Sequence, residues 1–433
     1  MNNSNKLFYG WWVVLALMVV SGTAIALTIT TFNIYLNPFT ESMGISPTQF
    51  ALCSTIINIT VMLFSPKVGK ILQQHTQKVL LIFLLGFCLS YAAFSIATNI
   101  YILYGVAALF GFFSTGLTFM PPNILVNRWF VQKKGLAMSI ALSGSAIFGM
   151  ILSPFITYCI QNFSYQLAYQ VIAATMFAFS SVLILFVIKA QPEDIGLKAL
   201  GADATDVCPT KTLGSVIKLV HLEPKVLKKK PFFWSMLAAH FLVGFVGGGI
   251  VLQLPVFLQN TFGMQQAAQF LVITLGVMIF AKVMLGWLYD KLGTMKATTL
   301  VCASILMTCI PFALATGSNA WLLGLIAVVF WGVGNCIGTV TPAVVASQTY
   351  GPQHYGEVYG ICLRFQTLGI ASGVPAISML ATATGSFTMV WTICSILTVL
   401  LLVFYALGLK GSQTYRSDQH RELTQCASTA QAA

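Results

Sequence analysis

Twelve apolar runs divide this chain, near 9–36, 47–71, 78–98, 100–127, 134–161, 165–189, 232–260, 265–290, 297–316, 319–349, 356–383 and 386–409. A helix needs about 20 apolar residues to cross a bilayer, and each run meets that length. The pattern predicts an all-α polytopic membrane protein with twelve transmembrane helices. Composition agrees: 57% of the 433 residues are hydrophobic and only 7% are charged, where a soluble chain carries about a quarter. The first run begins near Phe8 and is too long for the apolar core of a signal peptide, so it is expected to be a retained span.

The polar stretch at 190–231 splits the runs into six plus six. Residues 1–189 are expected to form an N-terminal six-helix bundle, 190–231 a basic linker, 232–410 a C-terminal six-helix bundle, and 411–433 a tail. Alternate connections carry the basic residues: Lys67, Lys70 and Lys78; Arg128, Lys133 and Lys134; the linker with Lys228, Lys229 and Lys230; Lys291 and Lys296; then Arg416 and Arg421. The connections between them have no Lys or Arg. By the positive-inside rule both termini and the linker are cytoplasmic, in an inner or plasma membrane. Tyr9, Trp11 and Trp12 are expected to anchor the first span at the interface.

The net charge of +12 lies between the spans, so it reads as a topology signal and not as a nucleic-acid surface. The ten cysteines are scattered, without CxxC or Cys/His ligand spacing, which points to neither a disulfide framework nor a metal site. No G-x(4)-G-K-[ST] run occurs, and Gly247-Gly248-Gly249 falls within a span. No cofactor and no enzymatic activity are expected.

Only Lys282 and Arg364 place a cation deep in an apolar run. Such a charge is costly in hydrocarbon and usually faces a protein interior or cavity. Lys282 precedes Asp290 by eight residues and Arg364 follows Gly356 by eight, which sets each about 12 Å from a helix end. A stem reaching about 6 Å does not snorkel comfortably from that depth. All ten acidic residues lie outside the span interiors: Glu41, Glu193, Asp194, Asp203, Asp206, Glu223, Asp290, Glu357, Asp418 and Glu422. The cations therefore lack a carboxylate at their depth, and a small organic anion is the expected counter-charge. The bland alternative is that Lys282 braces neighbouring helices.

Neutral candidates for the same site are Asn123, Ser143, Gln253 and Gln366, with Phe32, Tyr35 and Trp331 to cover apolar faces of a ligand. Each has a packing role as its alternative. His240 is the one histidine clearly within a span, and a hydrogen-bonded packing role competes with a proton-linked one. Lys282 could also be proton-linked, releasing its proton when the site is empty.

The halves echo one another faintly. An offset of 221 places Pro121 on Pro342, Ser139 on Gly360 and Ser143 on Arg364, and an offset of 217 places Gly69 on Gly286. Parallel repeats of this kind occur in transporters.

Three segments make the echo more specific. Gly286-Trp287-Leu288-Tyr289-Asp290-Lys291-Leu292-Gly293 resembles the G-x-L-x-D-[RK]-x-G loop motif of the major facilitator superfamily. Tyr9-Gly10-Trp11-Trp12-Val13-Val14, and Asn127-Arg128-Trp129-Phe130 with Lys133-Lys134-Gly135-Leu136-Ala137-Met138, resemble its oxalate:formate antiporter and monocarboxylate transporter branch. The resemblance implies the major facilitator fold, two bundles rocking about a central site. It implies gating roles for Gly286, Asp290, Lys291, Gly293, Gly69 and Arg128. In the first half Gln73 stands where the motif has Asp, so a gating salt bridge there is expected to be weak or absent. The branch's oxalate exchanger binds anion with Arg on the eighth span and Lys on the eleventh; here the two are exchanged, as Lys282 and Arg364.

The combined expectation is a secondary transporter of a mono- or dicarboxylate, working by alternating access and anion exchange, monomeric, with the lipid bilayer as its other partner. Proton-coupled monocarboxylate symport, a permease or efflux pump for a neutral or amphipathic compound, and a non-transporting membrane sensor stand as alternatives.

Overall fold

The computed structural model describes residues 8–202, 224–315, 319–350 and 355–432. Most of the linker, residues 203–223, with the expectations attached to it, lies outside the described residues. Among the described residues, twelve helices are long and apolar enough to cross a membrane: Gly10–Thr30, Gln49–Gln74, Thr76–Ile96, Ile100–Trp129, Lys134–Asn162, Tyr165–Val187, Pro231–Phe262, Gln265–Leu292, Thr294–Leu314, Ala320–Gly338, Tyr355–Thr384 and Phe387–Tyr415. They are numbered here as the first to twelfth spans.

Several spans are not the plain helices that hydropathy suggests; the third ends in a 3-10 turn at Phe94–Ile96 and the sixth in a π-turn at Leu183–Val187. The first passes from α-helix into a π-turn at Ala26–Thr30 and a 3-10 turn at Phe32–Tyr35, then into a short helix, Leu36–Met43. The fourth breaks after Ile100–Thr115 and resumes as Met120–Trp129, with Pro121 and Pro122 in its first turn. The tenth breaks after Ala320–Gly334 and resumes as Val340–Tyr350, with Pro342 in its first turn. Proline is tolerated there because the first N–H groups of a helix have no partner to lose. Thus the Pro121/Pro342 echo marks one device used once in each half. Apolarity tracks burial in lipid and is blind to such breaks. The last helix runs from Phe387 to Ala432, well past the predicted end at 409, because no proline stops it.

Within the first half the first span packs on the fifth, the second on the fourth, and the third on the fourth and sixth. Within the second half the seventh packs on the eleventh and twelfth, and the ninth on the tenth and twelfth. Gly247-Gly248-Gly249 continues the seventh helix, and Gly248 and Gly249 face Ile370 and Ile377, so this run serves close packing and not a turn. Of the expected interfacial aromatics only Trp12 is exposed; Tyr9 donates to Val187 O at 3.0 Å and Trp11 packs edge-on against Phe130.

Two large contacts join the halves, the second span on the eleventh and the fifth on the eighth, with smaller ones from the fourth span to the eleventh and from the fourth and fifth spans to Val340–Tyr350. Among the described residues, every hydrogen bond across them lies toward the face that carries Lys67, Lys133 and Lys291. The structure is therefore closed at this basic face.

Candidate functional site

At the basic end of the fifth–eighth seam, Asp290 accepts from Gly135 N (Oδ1, 2.8 Å) and Leu136 N (Oδ2, 2.9 Å). These N–H groups open the helix Lys134–Asn162, so the carboxylate caps a helix N-terminus, where a negative charge is favoured. A Cβ on Gly286 would overlap Ser139 Oγ and Gly135 O; the absent side chain lets the backbones meet. One turn deeper, Lys282 is 2% exposed. Its ammonium donates to Ser145 Oγ at 2.7 Å and, more weakly, to Leu142 O at 3.4 Å.

The second–eleventh seam repeats this plan. Gln73 Oε1 accepts from Gly356 N at 2.8 Å, at the start of the helix Tyr355–Thr384. Gly69 and Gly356 meet backbone to backbone. One turn deeper Ser65 Oγ donates to Gly360 O at 2.9 Å. Deeper still, half-buried Arg364 donates from Nε to Met62 O (2.9 Å) and from Nη2 to Leu63 O (3.0 Å).

The sequence echo maps onto these seams. The offset of 217 that pairs Gly69 with Gly286 also pairs Gln73 with Asp290 and Ser65 with Lys282. The offset of 221 pairs Gly135 with Gly356 and Ser139 with Gly360. Each half thus offers a side-chain acceptor to the first turn of a helix in the other half. The charge is kept on one seam and lost on the other: Gln73 makes the bond as a neutral amide, with no carboxylate at that position.

Both cations belong to the second half and both are held by the first half, but on separate seams. Lys282 meets the fifth span and Arg364 the second. In this closed arrangement protein hydroxyl and carbonyl oxygens stand at both cations. No carboxylate pairs with either among the described residues.

The other candidates are placed less centrally. Tyr35 hydrogen-bonds Tyr91 OH at 3.1 Å and stacks on Tyr169 at 3.9 Å, and Phe32 stacks on Phe50; these partners all lie in the first half. Ser143 donates back to Ile140 O, beside Met18. Gln253 donates to Ser378 Oγ at 2.5 Å and Gln366 to Gly338 O at 2.6 Å, both within the second half. Trp331 is buried in the tenth span. His240 is fully buried, its Nδ1 2.7 Å from Met236 O and its ring edge-on to Tyr405. Asn123 alone of the neutral candidates approaches the other half, where its side chain meets Tyr359.

Among the gating candidates, Arg128 donates to Thr76 Oγ1 (3.0 Å), to Ala190 O (3.2 Å) and to Gln73 O. It therefore braces the residue whose side chain reaches Gly356. Lys291 lies over the Trp287 ring at 4.6 Å, and Gly293 adopts φ 80° at the turn into the ninth span, a left-handed conformation suited to glycine. Sequence reasoning missed Ser145 and Ser65. The available signal was spacing: Gly135, Ser139, Leu142 and Ser145 recur every three or four residues, one face of a helix.

The chain is similar to proteins of known activity along most of its length. It is 23% identical over 404 residues to the monocarboxylate transporter 12-B of Danio rerio, covering 88% of this chain and 83% of that one. It is 25% identical to the human monocarboxylate transporter 12 (89% and 78% covered) and 23% identical to the oxalate:formate antiporter of Oxalobacter formigenes (81% and 80% covered). Among solved structures, it superposes on the proton:xylose symporter XylE with a TM-score of 0.72 at 12% identity, covering 92% of this chain and 95% of that one. The transporter FucP in its outward conformation matches with a TM-score of 0.68 at 13% identity (92% and 99% covered). Residues 14–374 match the family described as Major Facilitator Superfamily. This chain is a membrane transporter belonging to the Major Facilitator Superfamily.

Proposed function

We propose that the protein carries a small organic anion, a mono- or dicarboxylate, by alternating access and in exchange for another anion. One observation carries the reading: Lys282, buried within a span, has a hydroxyl and a distant carbonyl as its hydrogen-bond partners among the described residues. A buried charge with neutral partners is poorly compensated, and a carboxylate would compensate it. The similarity to monocarboxylate transporters and an oxalate:formate antiporter supports the same substrate class. The basic connections favour a cytoplasmic location for the closed face and both termini, in an inner or plasma membrane. Opening that face requires Lys282 and Arg364 to leave their oxygens. An anion bound between the halves, here read as 1–189 and 232–410, offsets that loss, so the loaded carrier reorients faster than the empty one.

The test is uptake into proteoliposomes. Labelled oxalate, formate or lactate should enter vesicles preloaded with unlabelled carboxylate and enter empty vesicles slowly. Loss of uptake in Lys282→Ala and Arg364→Ala at normal abundance supports the site; unchanged uptake removes it. Fast entry into empty vesicles would remove exchange. The neutral hydrogen-bond partners of Lys282 among the described residues favour a second reading, in which this residue carries a proton with the anion. Alkalinisation outside the vesicles during uptake would select it.

A further inference from the structure

We propose that Pro66 is a positioning residue for the anion site: it frees a backbone carbonyl of the second span that holds the Arg364 guanidinium, and a substrate carboxylate takes Arg364 over from it. The inference rests on Arg364 as an anion-binding group, as read above.

Pro66 lies inside the continuous helix Pro47–Gln74. Proline has no N–H, so the helical bond from residue 66 to the carbonyl of residue 62 cannot form. An orphaned carbonyl within a membrane span demands another donor. Arg364 supplies it from the opposite half, with Nε 2.9 Å from Met62 O, while Nη2 is 3.0 Å from the next carbonyl, Leu63 O. The approach is built for this contact. Gly360, one turn before Arg364, faces Pro66, and a Cβ there would overlap Pro66 Cα and Ser65 O. Ser65 Oγ donates to Gly360 O at 2.9 Å. Proline, glycine and arginine thus form one unit across the seam.

The other seam lacks it. The offset of 217 places Val283 opposite Pro66, and Lys282 is held by a serine hydroxyl instead. The guanidinium fork that spans two carbonyl oxygens also fits the two oxygens of a carboxylate. Backbone carbonyls satisfy its N–H groups but leave its charge uncompensated, whereas a carboxylate meets both needs. Closed seam and bound anion are therefore alternative partners of one side chain.

Pro66→Ala restores the N–H and returns Met62 O to its own helix. The competition for Arg364 then weakens, and carboxylate affinity should rise about tenfold, the value of one charge-assisted hydrogen bond. Affinity of the purified full chain for oxalate and for lactate is read by thermal shift and calorimetry. With Arg364→Lys as background, which keeps the charge but not the fork, the same substitution should change affinity by less than twofold. Equal effects in both backgrounds, or no rise with Arg364 present, would overturn the proposal. A second reading needs no ligand: spin labels at exposed Gln74 and Lys291, with native cysteines replaced, report the separation of the halves at the basic face. Pro66→Ala should enlarge the long-distance population, and an unchanged distribution counts against the device. If neither carboxylate binds the unaltered protein, the anion reading fails, while the label distances still decide whether Pro66 holds the seam.

Discussion

Lys282 Nζ and Ser145 Oγ stand 2.7 Å apart across the two halves of the molecule. The bond exists only while the basic face is closed, because its ends sit on different bundles. Opening that face must transfer a buried ammonium to another partner. On the alternating-access reading proposed above, reorientation and partner exchange are one event, which substitution of either residue can probe.

Ser145→Ala leaves Lys282 with only the 3.4 Å approach to Leu142 O. An under-satisfied buried donor costs about 1–3 kcal/mol, so the melting temperature should fall. Saturating oxalate should restore more stability to this variant than to the parent. Equal ligand-induced shifts in thermal melts would show that Ser145 does not compete with the anion.

Arg364→Ala should reduce exchange by about ten- to a hundredfold, the range expected for a lost charge-assisted hydrogen bond. Arg364→Lys should be intermediate, because the charge survives and the two-pronged fork does not. Initial rates of counterflow at matched protein abundance measure the order; a lysine variant as fast as the parent would remove any role for the fork.

Gln73→Glu puts a carboxylate of equal size before Gly356 N, the position Asp290 occupies before Gly135 N on the other seam. A negative charge at a helix N-terminus is worth about 0.3–1 kcal/mol. The closed basic face should gain population, and exchange should slow by about two- to fivefold. Asp290→Asn should act in the opposite sense. Label distances between Gln74 and Lys291 would register both.

Gly69→Val wedges a side chain into the Gly356 backbone. Overpacking of this kind costs about 1–3 kcal/mol, and here the cost falls on the closed state, so the halves should part at the basic face. The same change at Gly105, where a Cβ meets open space, should leave the distances unaltered.

Much of this architecture was legible before any coordinates. The twelve spans follow from apolar length, and the Pro121/Pro342 and Gly69/Gly286 pairings already contained the internal repeat. Lys282 and Arg364 stood out because a cation in hydrocarbon is rare enough to demand an explanation. The neutral and aromatic candidates fared differently. Tyr35, Ser143, Gln253 and Gln366 are plausible by residue type, but the structure turns each toward its own half. Residue type says what a side chain can do, whereas its azimuth on the helix decides what it meets.

The sequence by itself determined which segments enter the membrane, that two cations lie within them, and that no acidic residue accompanies those cations. These are local properties: the free energy of transfer depends on each run and its flanking charges, whatever the neighbouring helices do. Tertiary structure alone decided that Lys282 closes on Ser145, that Arg364 closes on the carbonyls beside Pro66, and that the two lie on different seams. Those pairings join residues far apart in the chain, and they depend on how each helix is rotated and how closely glycines let two backbones approach.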